Sequence, residues 1–209
     1  GRVKLPLGEF GAVSRAYKGR AGSAASIRHA PQVAMVDPEA CSVVAIAEAL
    51  TNLVFAPSED GLKGVSLSAN WMWPCKNPGE DARLYSAVEA CSAFACELGI
   101  NIPTGKDSLS MTQKYGDEKV YSPGTVIISA AAEVKNIRKI VSPVLAYIKG
   151  TYLYYIDFSF DTFKLGGSAF AQTLNKLGEE VPTVKDSEYF KNAFNAVQEL
   201  IERGLILAG

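Results

Sequence analysis

The segment Ile46-Ala47-Glu48-Ala49-Leu50-Thr51-Asn52 sets a carboxylate and a carboxamide four residues apart in an otherwise apolar stretch. On a helix, residues i and i+4 stack on one face, about 6 Å apart along the axis. Two side-chain oxygens aimed the same way suit a hard cation such as Mg²⁺, which takes oxygen ligands and retains waters or phosphate oxygens. Taken alone, the pair reads first as exposed polar residues on an amphipathic helix. A six-coordinate ion needs about four more oxygens. Glu9, in the loop-like stretch Pro6-Leu7-Gly8-Glu9-Phe10, is an available acid, although a solvated charge is the simpler account of it.

Two other segments hold candidate chemistry. Thr104-Gly105-Lys106-Asp107-Ser108 reads as a turn after a short strand. There Gly105 admits a ligand close to the backbone, Lys106 offers a point charge to phosphate, and Ser108 offers a hydroxyl. The spacing of a P-loop is missing, and a strand-end turn with an ordinary lysine-aspartate pair accounts for the same residues. Leu165-Gly166-Gly167-Ser168 precedes a predicted helix, where free N–H groups can receive an anion or simply make a turn. Asn70, at a strand end beside Trp71 and Trp73, could set an amide and an aromatic wall at a cleft, although most tryptophans only pack. The lone histidine, His29, lies at a loop or strand end before Pro31. Any histidine-dependent catalytic pair would have to use it, and a structural or peripheral role is the simpler reading.

The elements that must position these residues follow from periodicity and caps. Asp37-Pro38 reads as an N-cap and N1 pair opening a helix over Glu39 to about Ala56, with Val43, Val44, Ala47, Leu50 and Val54 as its stripe. Gly64 to Asn70 reads as a strand. Glu80 to Leu98 is an amphipathic helix with Leu84, Val88, Cys91, Phe94, Ala95 and Leu98 inward, acids in its first turn and Gly99 as its stop. Ile100 to Pro103 and Tyr121 to Val134 read as strands. The pattern resets between Pro143 and Gly150, which divides the chain into a first domain, 1–145, and a second segment, 146–209. In the latter, Tyr152 to Phe158 reads as a strand, and a helix runs from Ser168 to about Leu177 before Gly178. A last helix starts at Asp186 or Ser187, with Phe190, Phe194 (or Ala193), Val197, Leu200 and Ile201 facing the core, and ends at Gly204. Leu205 to Gly209 reads as an apolar strand that stops at the terminus, which suggests truncation.

Composition narrows the function classes. The 209 residues are 48% hydrophobic and 21% charged, as expected of a soluble globular protein with one large or two small domains. Lysine and arginine total 21 against 22 acids, so no basic field exists to hold nucleic acid. Apolar runs fall short of a membrane span, and the N-terminus lacks a signal-peptide pattern. Cys41, Cys75, Cys91 and Cys96 form no C-x-x-C pair. With one histidine, that argues against structural zinc and fits a reducing cytoplasm.

Four strings in order complete the reading: Ala47-Glu48-Ala49-Leu50-Thr51-Asn52, Leu67-Ser68-Ala69-Asn70-Trp71-Met72, Asn77-Pro78-Gly79-Glu80-Asp81-Ala82 and Gly105-Lys106-Asp107-Ser108-Leu109-Ser110-Met111. Together they resemble the large form of the phosphoribosylformylglycinamidine synthase family. Members convert formylglycinamide ribonucleotide to formylglycinamidine ribonucleotide in purine biosynthesis, with ATP and glutamine. Their synthetase region is a pseudo-dimer of two aminoimidazole-ribonucleotide-synthetase-like halves. This chain is similar to the second half: an N-terminal-type domain and the start of a C-terminal-type domain. The resemblance implies a mixed α/β (α+β) fold, with a mixed sheet carrying helices on one face and pairing with its counterpart into a barrel.

For the site, the resemblance implies that Glu48 and Asn52 bind Mg²⁺ of an ATP or ADP held in an auxiliary, structural site. It makes Glu9 a third ligand, where the family usually has aspartate in a Pro-Leu-Ala-Asp-like context, with Gly8 touching nucleotide. Gly105, Lys106, Ser108 and Asn70 are implied to face the catalytic cleft. Lys106 replaces an asparagine of shorter relatives, so no metal is implied there. After a strand like Leu205 to Gly209 the family continues into a His-Asp-x-Ser-x-Gly-Gly segment with a further metal-binding aspartate. The glutaminase domain is also outside this chain, and none of the four cysteines takes its nucleophile's role. The implied reaction passes the phosphoryl group of ATP to the substrate amide oxygen, and ammonia then displaces it. The expected partners are the other domains of the same enzyme, and the chain alone is expected to be inactive and to self-associate through exposed sheet. Two alternatives stay open: a purely structural Mg-ADP module, or another enzyme of the superfamily, such as aminoimidazole ribonucleotide synthetase or selenophosphate synthetase.

Overall fold

Three antiparallel contacts and one parallel contact assemble the central sheet. The computed structural model describes residues 8–209. Its strands β1 (Phe10–Ser14), β2 (Gly22–His29), β3 (Val65–Met72), β4 (Asn101–Ser108) and β7 (Thr125–Val134) lie in the order β1-β2-β7-β3-β4. Only β3 and β4 run parallel. A hairpin of β5 (Thr112–Tyr115) and β6 (Glu118–Tyr121) forms a separate two-stranded sheet.

Burial alternates along the inner strands, so the sheet has a covered and an open face. Ala24 and Ser26 of β2, Val65, Leu67 and Ala69 of β3, and Val126, Ile128 and Ala130 of β7 lie under the helices. Ile27 and Ala25 of β2, Ser129 and Ala131 of β7, and Ser66, Ser68 and Asn70 of β3 occupy the other face. The mixed sheet with helices on one face is the architecture expected from the sequence.

The covering layer is α1 (Pro31–Val36), α2 (Pro38–Leu53) and α3 (Glu80–Leu98). Asp37 accepts hydrogen bonds from the amides of Glu39 and Ala40 with Pro38 behind it, so α2 starts where its cap predicts. It ends at Leu53, not near Ala56, and is buried or half-buried throughout except at Glu39 and Glu48. Gly99, at φ +71°, closes α3. Within α3 the inward residue is Ala87, whereas Val88 is exposed.

The last helix, α5 (Ser187–Glu202), is capped by Asp186 and packs onto the same core. Phe190 meets Phe94 of α3 edge to face at 5.9 Å, and the buried Gln198 donates to the carbonyls of Val54 and Ala56 and accepts from the amide of Ser58. Gln198 shares the buried face with Phe190, Phe194, Val197 and Ile201, while Leu200 is only half-buried.

Other expectations fail for identifiable reasons. Gly105 to Ser108 is no turn: it continues β4, because Ala69 to Met72 offer a parallel partner register. Tyr121 to Val134 is interrupted, since Tyr121 ends β6 and Pro123-Gly124 breaks the chain before β7. Tyr152 to Phe158 and Leu205 to Gly209 have strand composition but pair with no strand among the described residues, and both are irregular. The helix after Ser168 is only α4 (Ala169–Thr173), stopped by Asn175 at φ 53°. The loop-like N-terminal stretch contains β1, and β2 follows it.

Candidate functional site

Ser26 Oγ donates to the carbonyl of Ala49 at 2.6 Å and docks the covered face of β2 on α2. Two residues along the same face, Arg28 forms an ion pair with Glu9, just ahead of β1. Its positive charge also acts on Glu48, next to Ala49 on α2. Arg28 therefore links the two carboxylates singled out in the sequence. Gly8 is the exposed neighbour of Glu9, and Pro6 and Leu7 lie outside the described residues.

Glu48 keeps solvent contact but is crowded by surrounding protein. Desolvation raises its carboxyl pKa above the ordinary value, and the charges of Arg28 and His29 only partly oppose this. Among the described residues no hydrogen bond or ion pair reaches its carboxylate. One helical turn on, the Asn52 amide nitrogen is buried without a partner. The Glu48 carboxylate and the Asn52 side-chain carbonyl, one helical turn apart on α2, are oxygen donors of the kind a hard cation takes, whereas the orphaned Asn52 nitrogen is a hydrogen-bond donor that an acceptor would satisfy. No three His, Cys, Asp or Glu side chains converge among the described residues, so such a cation would need further oxygens from nucleotide, water or other chain segments. His29 is the last residue of β2, at the strand end expected for it.

Glu48 also borders a groove of about 1540 Å³. One wall is Val44, Ala47 and Thr51 of α2, and the other includes Tyr152 and Tyr154. The groove is larger than a mononucleotide requires and mostly apolar, with Glu48 as an acidic feature of its wall.

The second set of predicted residues lies elsewhere. Asn70 pairs with Lys106 across β3 and β4, two strands from β2. Its side-chain oxygen is buried without a partner. Lys106 donates to Ser108 Oγ and to the Asp107 carbonyl, so its ammonium turns along its own strand. At Gly105 a Cβ would sit 2.7 Å from the Ala69 carbonyl oxygen, so the glycine is required by strand packing. Trp73 is fully buried over Gly124, and Trp71 packs partly against the core, so both tryptophans fill space. The glycines at Gly166-Gly167 also serve packing. A Cβ on Gly166 would meet the Glu180 carbonyl at 2.3 Å, and one on Gly167 would meet the Val33 amide at 2.9 Å.

The FGAR-AT PurM_N-like domain profile matches residues 1–133. The chain belongs to that family. It is 39% identical over its whole length to the human protein "Phosphoribosylformylglycinamidine synthase", and 38% identical to the Drosophila melanogaster protein of that name. A Caenorhabditis elegans relative, "Probable phosphoribosylformylglycinamidine synthase", is 37% identical over 97% of the chain. The chain spans only about 16% of the human and fly relatives and 15% of the nematode one. Among solved structures, "T. maritima PurL complexed with FGAR" covers 97% of this chain with a TM-score of 0.66, and the chain matches 30% of it at 14% identity. At that identity the likeness shows the fold, and it supports the mixed-sheet architecture of this family member.

The sequence reading named Glu48, Asn52 and Glu9 as candidates and did not single out Arg28, which the structure pairs with Glu9. A charged residue continuing the buried alternation of Ala24 and Ser26 was the available signal, lost because β2 itself was not recognised.

Proposed function

We propose that this chain comes from the second aminoimidazole-ribonucleotide-synthetase-like half of a phosphoribosylformylglycinamidine synthase, and that it holds a Mg-nucleotide. Glu48, Asn52 and Glu9 hold Mg²⁺, and Gly8 lets nucleotide approach the backbone. The observation that carries this reading is the spacing of Glu48 and Asn52 on one face of α2, with Glu48 desolvated and lining a groove. Mg²⁺ bound there would supply two positive charges that offset part of the charge of the phosphates and the two acids. Glu48 and Asn52 orient that charge because α2, packed on nearly every side, fixes their backbone.

The intact enzyme is a ligase converting formylglycinamide ribonucleotide to formylglycinamidine ribonucleotide, with ATP, and with glutamine as amide donor through a glutaminase domain. The other synthetase half and the glutaminase domain are its partners, and four free cysteines suit a cytoplasmic setting. The first domain runs over 1–145 and the second begins at 146. Asn70, Gly105, Lys106 and Ser108 face the substrate cleft. The open sheet face, with Ile27 58% exposed, is where the partner half covers this one, and without that half it drives self-association.

A structural role for the nucleotide is the second reading, favoured by the central position of α2 in the core. Glu48→Ala in the intact protein separates the two. Normal turnover per folded molecule with reduced folding yield supports the structural role, and lost turnover in well-folded protein supports a catalytic one. Unchanged yield, turnover and nucleotide content would remove the site.

A further inference from the structure

The ion pair between Arg28 and Glu9 occupies one of the acids assigned to the metal. A guanidinium is always charged and matches either a carboxylate or a phosphate with its fork of donors. Arg28 is half-buried, two residues along β2 from Ser26, whose hydrogen bond to Ala49 ties that strand to α2 next to Glu48. Glu9, by contrast, lies just outside β1 and is exposed. Glu9, Glu48 and Arg28 together carry a single net negative charge. Adding a divalent cation and a nucleotide diphosphate brings two positive charges and about three negative ones, so a freed guanidinium beside the phosphates is favoured by charge.

We propose that Arg28 is a built-in counter-cation: it holds Glu9 while the site is empty, then releases it to the metal and takes a nucleotide phosphate. The inference rests on the assignment of the metal site to Glu48, Asn52 and Glu9. It makes Arg28 a competitor of the bare metal and a helper of the metal-nucleotide complex. An ion pair that only ties β2 to the segment ahead of β1 would leave both affinities unchanged.

The test uses the intact protein that carries this chain, titrated calorimetrically with Mn²⁺ alone and then with ADP in excess Mg²⁺. Arg28→Gln, Arg28→Lys and Glu48→Gln are compared with the unmodified protein, each first checked for an unchanged thermal unfolding midpoint. For Arg28→Gln the expected result is Mn²⁺ binding about three- to tenfold tighter, because an ion pair and a positive charge are removed. Its ADP binding should be about tenfold or more weaker. Arg28→Lys should restore Mn²⁺ affinity to the starting value and recover ADP affinity only in part. If Glu48→Gln loses Mn²⁺ binding while Arg28→Gln changes neither affinity, or weakens both, the exchange role is overturned and the site survives. If Glu48→Gln leaves Mn²⁺ binding unchanged, the site assignment fails and the role of Arg28 fails with it.

Discussion

Ser26 Oγ and the Ala49 carbonyl, 2.6 Å apart, form the buried tie between β2 and α2 beside Glu48. Ser26 is buried, so Ser26→Ala removes a hydrogen bond where water does not readily replace it. The expected cost is about 1–2 kcal/mol of stability. Because Arg28 and Glu48 lie on the two elements joined, Mg-ADP affinity should also fall, by about two- to fivefold. Urea unfolding and calorimetry on one preparation check both. A stability loss with unchanged nucleotide affinity would uncouple the tie from the site.

Gly105 faces the Ala69 carbonyl across the parallel β3–β4 contact, with no room for a Cβ. Gly105→Ala should cost about 1–3 kcal/mol by forcing the strands apart. Chemical denaturation measures this. A neutral substitution would mean that the glycine is kept for ligand approach and not for packing.

Helices were legible because their ends carry local chemistry: Asp37-Pro38 for α2, Gly99 for α3, Asp186 and Gly204 for α5. Strands were legible only where composition agreed with pairing, as in Val65 to Asn70. Gly22-Ser23-Ala24-Ala25-Ser26 has little intrinsic strand preference, yet it forms β2 because β1 and β7 flank it. Tyr152 to Phe158 shows the reverse, a strand-like string that no neighbouring strand joins. The candidate site divides the same way. Glu48 and Asn52 are fixed by helical spacing alone, whereas Arg28 enters only through tertiary pairing.

Asp161 is nearly fully buried at 2% side-chain exposure, with Lys164 and Lys185 each 3.2 Å away. Burial by itself would raise its carboxyl, but the Thr162 amide and the two lysines outweigh that and hold it below the ordinary aspartate range. A depressed folded-state pKa means that the unfolded chain binds more protons in this window, so stability rises with pH. The contribution is fully present above the ordinary aspartate pKa and is lost as pH falls through the lower folded value. Asp161→Asn should therefore cost at most about 1 kcal/mol at pH 7, since solvent reaches the lysine partners. It should also flatten the stability profile at the acid end, below about pH 4. Thermal unfolding from pH 3 to 7 checks this, and equal slopes in both proteins would contradict it.

The four free thiols should differ in reactivity. Burial pushes Cys41 and Cys91 up to about 11, and burial together with the Asp81 and Glu80 charges raises partly exposed Cys75. Cys96 is exposed. At pH 8 a maleimide should label Cys96 first and Cys75 more slowly, with Cys41 and Cys91 reacting only on unfolding. Peptide mass mapping over time reads the order. Early labelling of Cys41 would show that α2 opens in the native state.

The central claim is that Glu48 and Asn52 hold the metal of a bound nucleotide. Calorimetric titration of Mg-ADP into the intact protein, beside Glu48→Ala and Asn52→Ala, tests it most directly. The account predicts saturable binding that each substitution weakens at least about a hundredfold, as loss of a metal ligand does. Equal affinity in all three proteins would contradict it and move the nucleotide away from α2.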